Sequence, residues 1–109
     1  MRISIAICLL TLLGGCAPKL YIPAAAHVEW AQQNYQYKSD LASFNYARMM
    51  YTQYCQSCHD LHMPSEYTIS EWGTIYHKMS ANITLADSSK LKIYYYIIAG
   101  ANDAQVLKE

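Results

Sequence analysis

The stretch LASFNYARMMYTQYCQSCH, residues 41–59, contains the features on which the fold prediction depends. Ser39 and Asp40 precede it, and both are residue types that cap helix N-termini. Side chains at helical spacing then fall near one face: Leu41, Phe44, Arg48, Tyr51 and Cys55. This pattern predicts a helix from about Leu41 to Tyr54. The helix leads directly into Cys55-Gln56-Ser57-Cys58-His59, a C-x-x-C-H sequence.

C-x-x-C-H is the attachment signature of c-type haem. The thiols of Cys55 and Cys58 are spaced to add to the two vinyl groups on one haem edge, and the adjacent His59 is then placed to ligate the iron. The motif therefore favours one covalent haem c. Three other uses stay open: a thiol–disulfide redox pair, a zinc site that includes His62, and a structural disulfide.

The N-terminus has the composition of an export signal. Arg2 is positively charged, residues 3–13 carry no charge, and Leu13-Gly14-Gly15-Cys16 follows. The apolar run is shorter than the ~20 residues that cross a bilayer. Leu-Gly-Gly-Cys resembles the lipobox of bacterial lipoproteins, and the resemblance implies removal of residues 1–15 and a lipid on Cys16. The alternative is an ordinary secretory signal that is cut near Ala17.

The remaining chain divides into a tether and one domain. Residues 16–38 contain two prolines and mixed polar residues, which predicts a tether with only a weak helical pattern over 24–36. Residues 39–109 form the predicted haem domain. The net charge of zero gives no argument for nucleic-acid binding. A domain this small buries little surface, and a bound cofactor would supply additional core.

Two further helices are predicted within the domain. Thr68 and Glu71 have the spacing of a capping box, and Tyr67 and Trp72 that of a hydrophobic staple, so a helix is expected to continue to about Ala81. Its inward residues would be Trp72, Ile75, Tyr76, Met79 and Ile83. A last helix is predicted over residues 85–99, ending at Gly100 as a C-cap. Its inward stripe would be Leu91, Tyr94, Tyr95 and Ile98.

Residues 41–100 resemble class I c-type cytochromes. The resemblance implies an all-α fold with three main helices around one haem, in which the first and last helices cross at Ala47 and Tyr51. Trp72, Met79 and Leu85 also match a pattern found in a narrower group of small haem domains. The chain departs from the family in one respect, because its only Met-Pro pair, Met63-Pro64, is too close to His59 to reach the far face of a haem.

The departure leaves the sixth iron ligand open. The candidates are Met79, His77, His62, His27, Met49 and Met50. Met79 is favoured because it shares the inward face of its helix, whereas His77 is two residues away and points elsewhere. An open sixth position is the remaining alternative. Trp72 is expected either to pack on the haem or donate to a propionate, or to act only as a staple and core residue.

The leading functional prediction is single-electron transfer between redox partner proteins, without a small-molecule substrate or enzymatic activity. The lipid on Cys16 would hold the protein on the periplasmic side of a bacterial membrane. Alternatives are a haem-bearing subunit of a larger membrane oxidoreductase, a haem enzyme or gas sensor with a displaceable sixth ligand, and a thiol oxidoreductase without haem.

Overall fold

The computed structural model describes residues 19–55 and 61–108. Within them the chain forms four α-helices and no strand, which confirms the all-α class. The helices are α1 (Ala25–Tyr35), α2 (Leu41–Cys55), α3 (Ile69–Ser80) and α4 (Asp87–Lys108), and a 3₁₀ turn covers Pro64–Glu66. Helix α4 packs against each of the other helices and against the 3₁₀ turn, so it is the centre of the fold.

Helix α2 begins where its cap residue predicts. The Asp40 carboxylate accepts the Ser43 amide N–H at 2.8 Å, which satisfies one of the unpaired donors of the first turn. The buried face differs from the predicted one at its start, because Leu41 is 41% exposed. The buried positions are Phe44, Ala47, Met50, Tyr51 and Cys55. The apolar stripe is therefore rotated by part of a turn from the expected set.

Helix α3 confirms its predicted start in detail. The Thr68 hydroxyl accepts the Glu71 amide N–H at 3.2 Å, and the Glu71 carboxylate accepts the Thr68 amide N–H at 3.0 Å. These reciprocal bonds are the predicted capping box. Tyr67 and Trp72 form the predicted staple, with ring centroids 5.2 Å apart at 87°. Trp72 and Tyr76 are buried, and Ile75 and Met79 pack on the same buried cluster, as expected. Ile83 is not on this face, because the helix ends at Ser80.

The prediction for the last helix was wrong about its end. Gly100 is not a C-cap, because α4 continues through it to Lys108. A Cβ on Gly100 would lie 2.7 Å from Cδ1 of Tyr21, closer still to Cε1 of the same ring, and 2.9 Å from the Pro64 Cβ. The glycine is thus required by the close approach of two neighbours. The predicted inward stripe is also incomplete, since Leu91 is exposed. The buried side chains are Ile93, Tyr96, Ile97, Ile98, Ala99 and Ala101.

Helices α2 and α4 pack against each other, and Ala47 and Tyr51 are both fully buried. The Tyr51 ring contacts Tyr96, with centroids 6.3 Å apart. The predicted inward stripe of the last helix did not include Tyr96, which lies between Tyr95 and Ile98 in sequence.

The described part of the predicted tether is packed on the domain. Leu20 and Ala31 are buried, and α1 contacts α2 and α4. The Tyr37 ring stacks on Tyr95 with centroids 4.1 Å apart. Aromatic side chains in this segment bury apolar area against α4, which an extended linker would leave in water. Residues 16–18 of the tether lie outside the described residues.

Candidate functional site

The predicted site is only partly within the described residues. Cys55, Trp72, His77 and Met79 are described. Cys58 and His59 are in the segment 56–60, and Cys16 precedes Lys19, so all three predicted roles lie outside the described residues. Of the C-x-x-C-H motif, Cys55 and the residues packed around it are therefore described.

Cys55 is the last residue of α2 and is 4% exposed. It belongs to the main core, the larger of the two buried clusters that the described residues form. The main core comprises Leu20, Ala47, Met50, Tyr51, Cys55, Trp72, Tyr76, Ile93, Tyr96, Ile97, Ile98 and Ala101. The motif thus starts inside the apolar interior and not on an exposed loop.

Two tyrosines lie near the Cys55 sulfur. Burial raises the pKa of Tyr51 and of Tyr76, and the proximity of Cys55 raises both further. The hydroxyls nevertheless have acceptors, since Tyr51 donates to the His62 carbonyl at 2.6 Å and Tyr76 donates to the Lys90 carbonyl at 2.5 Å. The phenols around Cys55 are therefore neutral donors in a water-poor environment.

The chain that follows the motif is attached to the helices at two points. Tyr51 binds the His62 carbonyl from α2, and the Trp72 indole N–H donates to the Pro64 carbonyl at 2.8 Å from α3. Trp72 is fully buried. Its one polar hydrogen is thus used within the protein, which supports the staple and core role over donation to a propionate.

Met79 and His77 have different surroundings. Met79 is partly buried and packs against the main core, together with Ile75 of the same helix face. His77 is exposed and lines a shallow cleft of about 290 Å³ between α3 and α4, beside Asp87 and Lys90. Of these two residues, Met79 packs on the apolar cluster that contains Cys55 and His77 does not.

His27 is held by contacts at both ring nitrogens. Its Nδ1 accepts the Ala24 amide N–H at 2.8 Å, and its Nε2 bonds the Asp103 carboxylate on α4. The imidazole stands 4.7 Å from the Tyr21 ring. These contacts give His27 a structural role that joins α1 to α4.

The remaining candidate ligands are distributed over different environments. The His62 Nδ1 lies 3.3 Å from the Glu66 carboxylate, and its ring meets the edge of Tyr67. Met49 is 51% exposed on α2, whereas its neighbour Met50 is buried in the main core. Met49 therefore serves as a control for substitution of a methionine that lies outside the core.

The sequence did not predict the contact between Tyr21 and Tyr96. Tyr21 stacks on Tyr96 with centroids 4.5 Å apart and an interplanar angle of 7°. The Tyr96 hydroxyl donates to the Tyr21 carbonyl at 2.9 Å, and the Tyr21 hydroxyl donates to the Tyr96 carbonyl. These residues are 75 positions apart, and only the number of tyrosines, eleven, hinted at such contacts.

No protein-family model, curated protein or solved structure matches this chain. In residues 19–55 and 61–108, no three His, Cys, Asp or Glu side chains come together as a metal-binding group. None of the helices in those two ranges has the length and apolar character required to cross a bilayer.

Proposed function

We propose that this protein carries one haem c, bound through Cys55 and Cys58 with His59 as an axial ligand, and that it transfers single electrons. The observation that carries the proposal is the C-x-x-C-H sequence beginning at a buried helix end. A thiol–disulfide pair or a zinc site at these residues would need an accessible sulfur or further ligands. Cys55 instead lies among aromatic and aliphatic side chains, which are the surroundings that a porphyrin needs.

The described residues fit a haem in their chemistry. Several apolar side chains pack on the main core while remaining partly exposed: Tyr54, Leu61, Met63, Tyr67, Ile69, Ile75, Met79 and Leu85. They belong to the end of α2, the segment between the motif and α3, α3 itself, and the segment between α3 and α4. A planar apolar group held at Cys55 would gain contact area from such side chains and remove them from water. This distribution supports the resemblance to small class I cytochrome domains.

Met79 is the sixth ligand in this proposal. It faces the cluster that contains Cys55, His77 is exposed, and His27 has both nitrogens engaged. A thioether ligand favours ferrous iron and raises the reduction potential. The haem supplies the one-electron couple. The chain supplies attachment, an apolar environment and two neighbouring phenols, Tyr51 and Tyr76, that remain protonated at neutral pH.

Electron transfer fits these surroundings better than a reaction on a small molecule. If Met79 and His59 both ligate the iron, a substrate would have to displace one of them to reach it. A small contact with a redox partner is sufficient for this activity, because transient electron-transfer interfaces are small. Export and a lipid on Cys16 would place the protein at the periplasmic face of a bacterial membrane.

The attachment is tested by expressing the full chain with a haem-attachment system and measuring the intact mass and the absorption spectrum. We expect the mass of one porphyrin on the polypeptide and a low-spin spectrum. Replacing both Cys55 and Cys58 with alanine removes the covalent haem. Gln56→Ala, in the same motif but without a ligand role, is the matched control and retains it. A wild-type protein without porphyrin mass contradicts the proposal.

The sixth position is tested with carbon monoxide. The reduced wild-type protein should show little change in its spectrum, because Met79 occupies the axial site. Rapid and complete carbon monoxide binding to the wild-type protein would instead indicate a gas sensor or enzyme with an open iron.

A further inference from the structure

The N-terminal part of the described chain is fixed to the domain at Leu20 and Tyr21. Arg48 on α2 donates from Nη2 to the Leu20 carbonyl at 3.2 Å and from Nε to the Tyr21 carbonyl at 3.1 Å. Leu20 is buried, and Tyr21 stacks on Tyr96 of α4. The chain therefore moves with the folded domain from Leu20 onwards.

This attachment limits the distance between the domain and the proposed lipid. Cys16 lies only four residues before Leu20. Because an extended chain covers at most ~3.5 Å per residue, four residues span about 14 Å. A lipid on Cys16 would thus hold Leu20 within about that distance of the membrane surface.

An exposed apolar surface lies on the side of α4 that Tyr21 contacts. The C-terminal end of α4 and the start of α1 enclose a groove of about 480 Å³, lined by Ala26, Trp30, Asn102, Asp103, Val106 and Leu107. We call this surface the helix-end patch. Leu107 is 87% exposed and Val106 is 58% exposed. Gly100, which touches Tyr21, is seven residues before Leu107, or about 10 Å along the helix. The 14 Å connection can therefore bring the patch to the membrane.

We propose that the helix-end patch lies in the boundary between lipid headgroups and acyl chains when the protein is anchored. The inference rests on the proposed lipid at Cys16. Exposed aliphatic side chains and an interfacial tryptophan lower the free energy of such a contact, because they exchange water for an apolar layer. The acid in the groove, Asp103, is bonded to His27 and not isolated.

The proposal predicts that the other part of α4 stays in water. Lys92 lies 15 residues before Leu107, about 22 Å along the helix, and its ammonium stands 5.8 Å from the centre of the Tyr46 ring. Tyr46 is an exposed aromatic residue of α2 and therefore provides a matched control position.

The experiment places a photoreactive benzophenone amino acid at Leu107 or at Tyr46 of the full chain, in bacterial membranes, and identifies adducts by mass spectrometry. We expect phospholipid adducts at position 107 and none at position 46. Both side chains are exposed, so neither replacement should prevent folding. Adducts to a second copy of this chain or to another protein at position 107, without lipid adducts, would overturn the inference.

The mass of the N-terminal peptide is measured on the same samples. A diacylglycerol on Cys16 together with no lipid adduct at position 107 refutes the membrane contact alone and leaves the anchor and the haem proposal intact. A Cys16 without lipid refutes the anchor, and the inference fails with it, while the spectrum of the haem is unaffected.

Discussion

Replacing Gly100 with alanine should destabilise the protein, although the same change usually stabilises a helix interior by roughly 0.5–1 kcal/mol. The added Cβ would lie 2.7 Å from Cδ1 of Tyr21, closer still to Cε1, and 2.9 Å from the Pro64 Cβ. Neither neighbour can move freely, because Tyr21 is stacked on Tyr96 and the Pro64 carbonyl is bonded to Trp72. Overpacking of this kind costs about 1–3 kcal/mol. The net loss should be about 1–2 kcal/mol.

The assay is urea unfolding, with the midpoint compared at constant slope between wild type and variant. Gly73→Ala is the matched control, because a Cβ on Gly73 would meet only the Tyr94 hydroxyl, at 3.9 Å. Gly73 is exposed within α3, so alanine there should stabilise by about 0.5–1 kcal/mol. An equal gain in stability in both variants would show that the N-terminal segment does not pack against Gly100.

Two further predictions concern the iron ligand and the buried phenols. Met79→Ala should lower the reduction potential, remove any near-infrared sulfur–iron band and allow carbon monoxide to bind. Met49→Ala, which changes a methionine exposed to solvent, is the control and should leave the spectrum unchanged. An unaltered spectrum in the Met79 variant excludes Met79 as a ligand. Burial raises the pKa of Tyr51, Tyr76 and Tyr96 above the ordinary 10.0. The stability that these neutral phenols contribute is therefore complete below about pH 10, and it decreases as the pH rises towards their folded-state pKa values. Phenolate absorbance should consequently include a cooperative step that coincides with loss of helical circular dichroism, and smooth ionisation of all tyrosines in a folded protein would contradict this.

The parts of the fold that depend on neighbouring residues could be predicted from the sequence. Three predicted contacts each involve residues within five positions of one another. They are the capping box at Thr68 and Glu71, the staple of Tyr67 and Trp72, and the cap at Asp40. Their geometry follows from the helix start itself. The inward position of Met79 relative to His77 also follows from helical periodicity.

The site could be predicted only as a motif with a list of candidate ligands. Periodicity placed Met79 on an inward face, but it could not show that His27 is engaged by Ala24 and Asp103, because Asp103 is 76 positions away. It also did not show that the Trp72 indole donates to Pro64. Both contacts depend on how the helices pack. The first argues against His27 as the sixth iron ligand, and the second supports a core role for Trp72.

The sequence by itself determined the helical class, the starts of α2 and α3, and the C-x-x-C-H motif, since each depends on contacts or chemistry within a few residues. Only the tertiary structure decided that residues 20–37 pack on α4 and that Gly100 lies inside this helix. The physical reason is that a glycine near a helix end is equally compatible with a cap and with close packing. Here the glycine serves close packing, because Tyr21 of the distant N-terminal segment lies against Gly100.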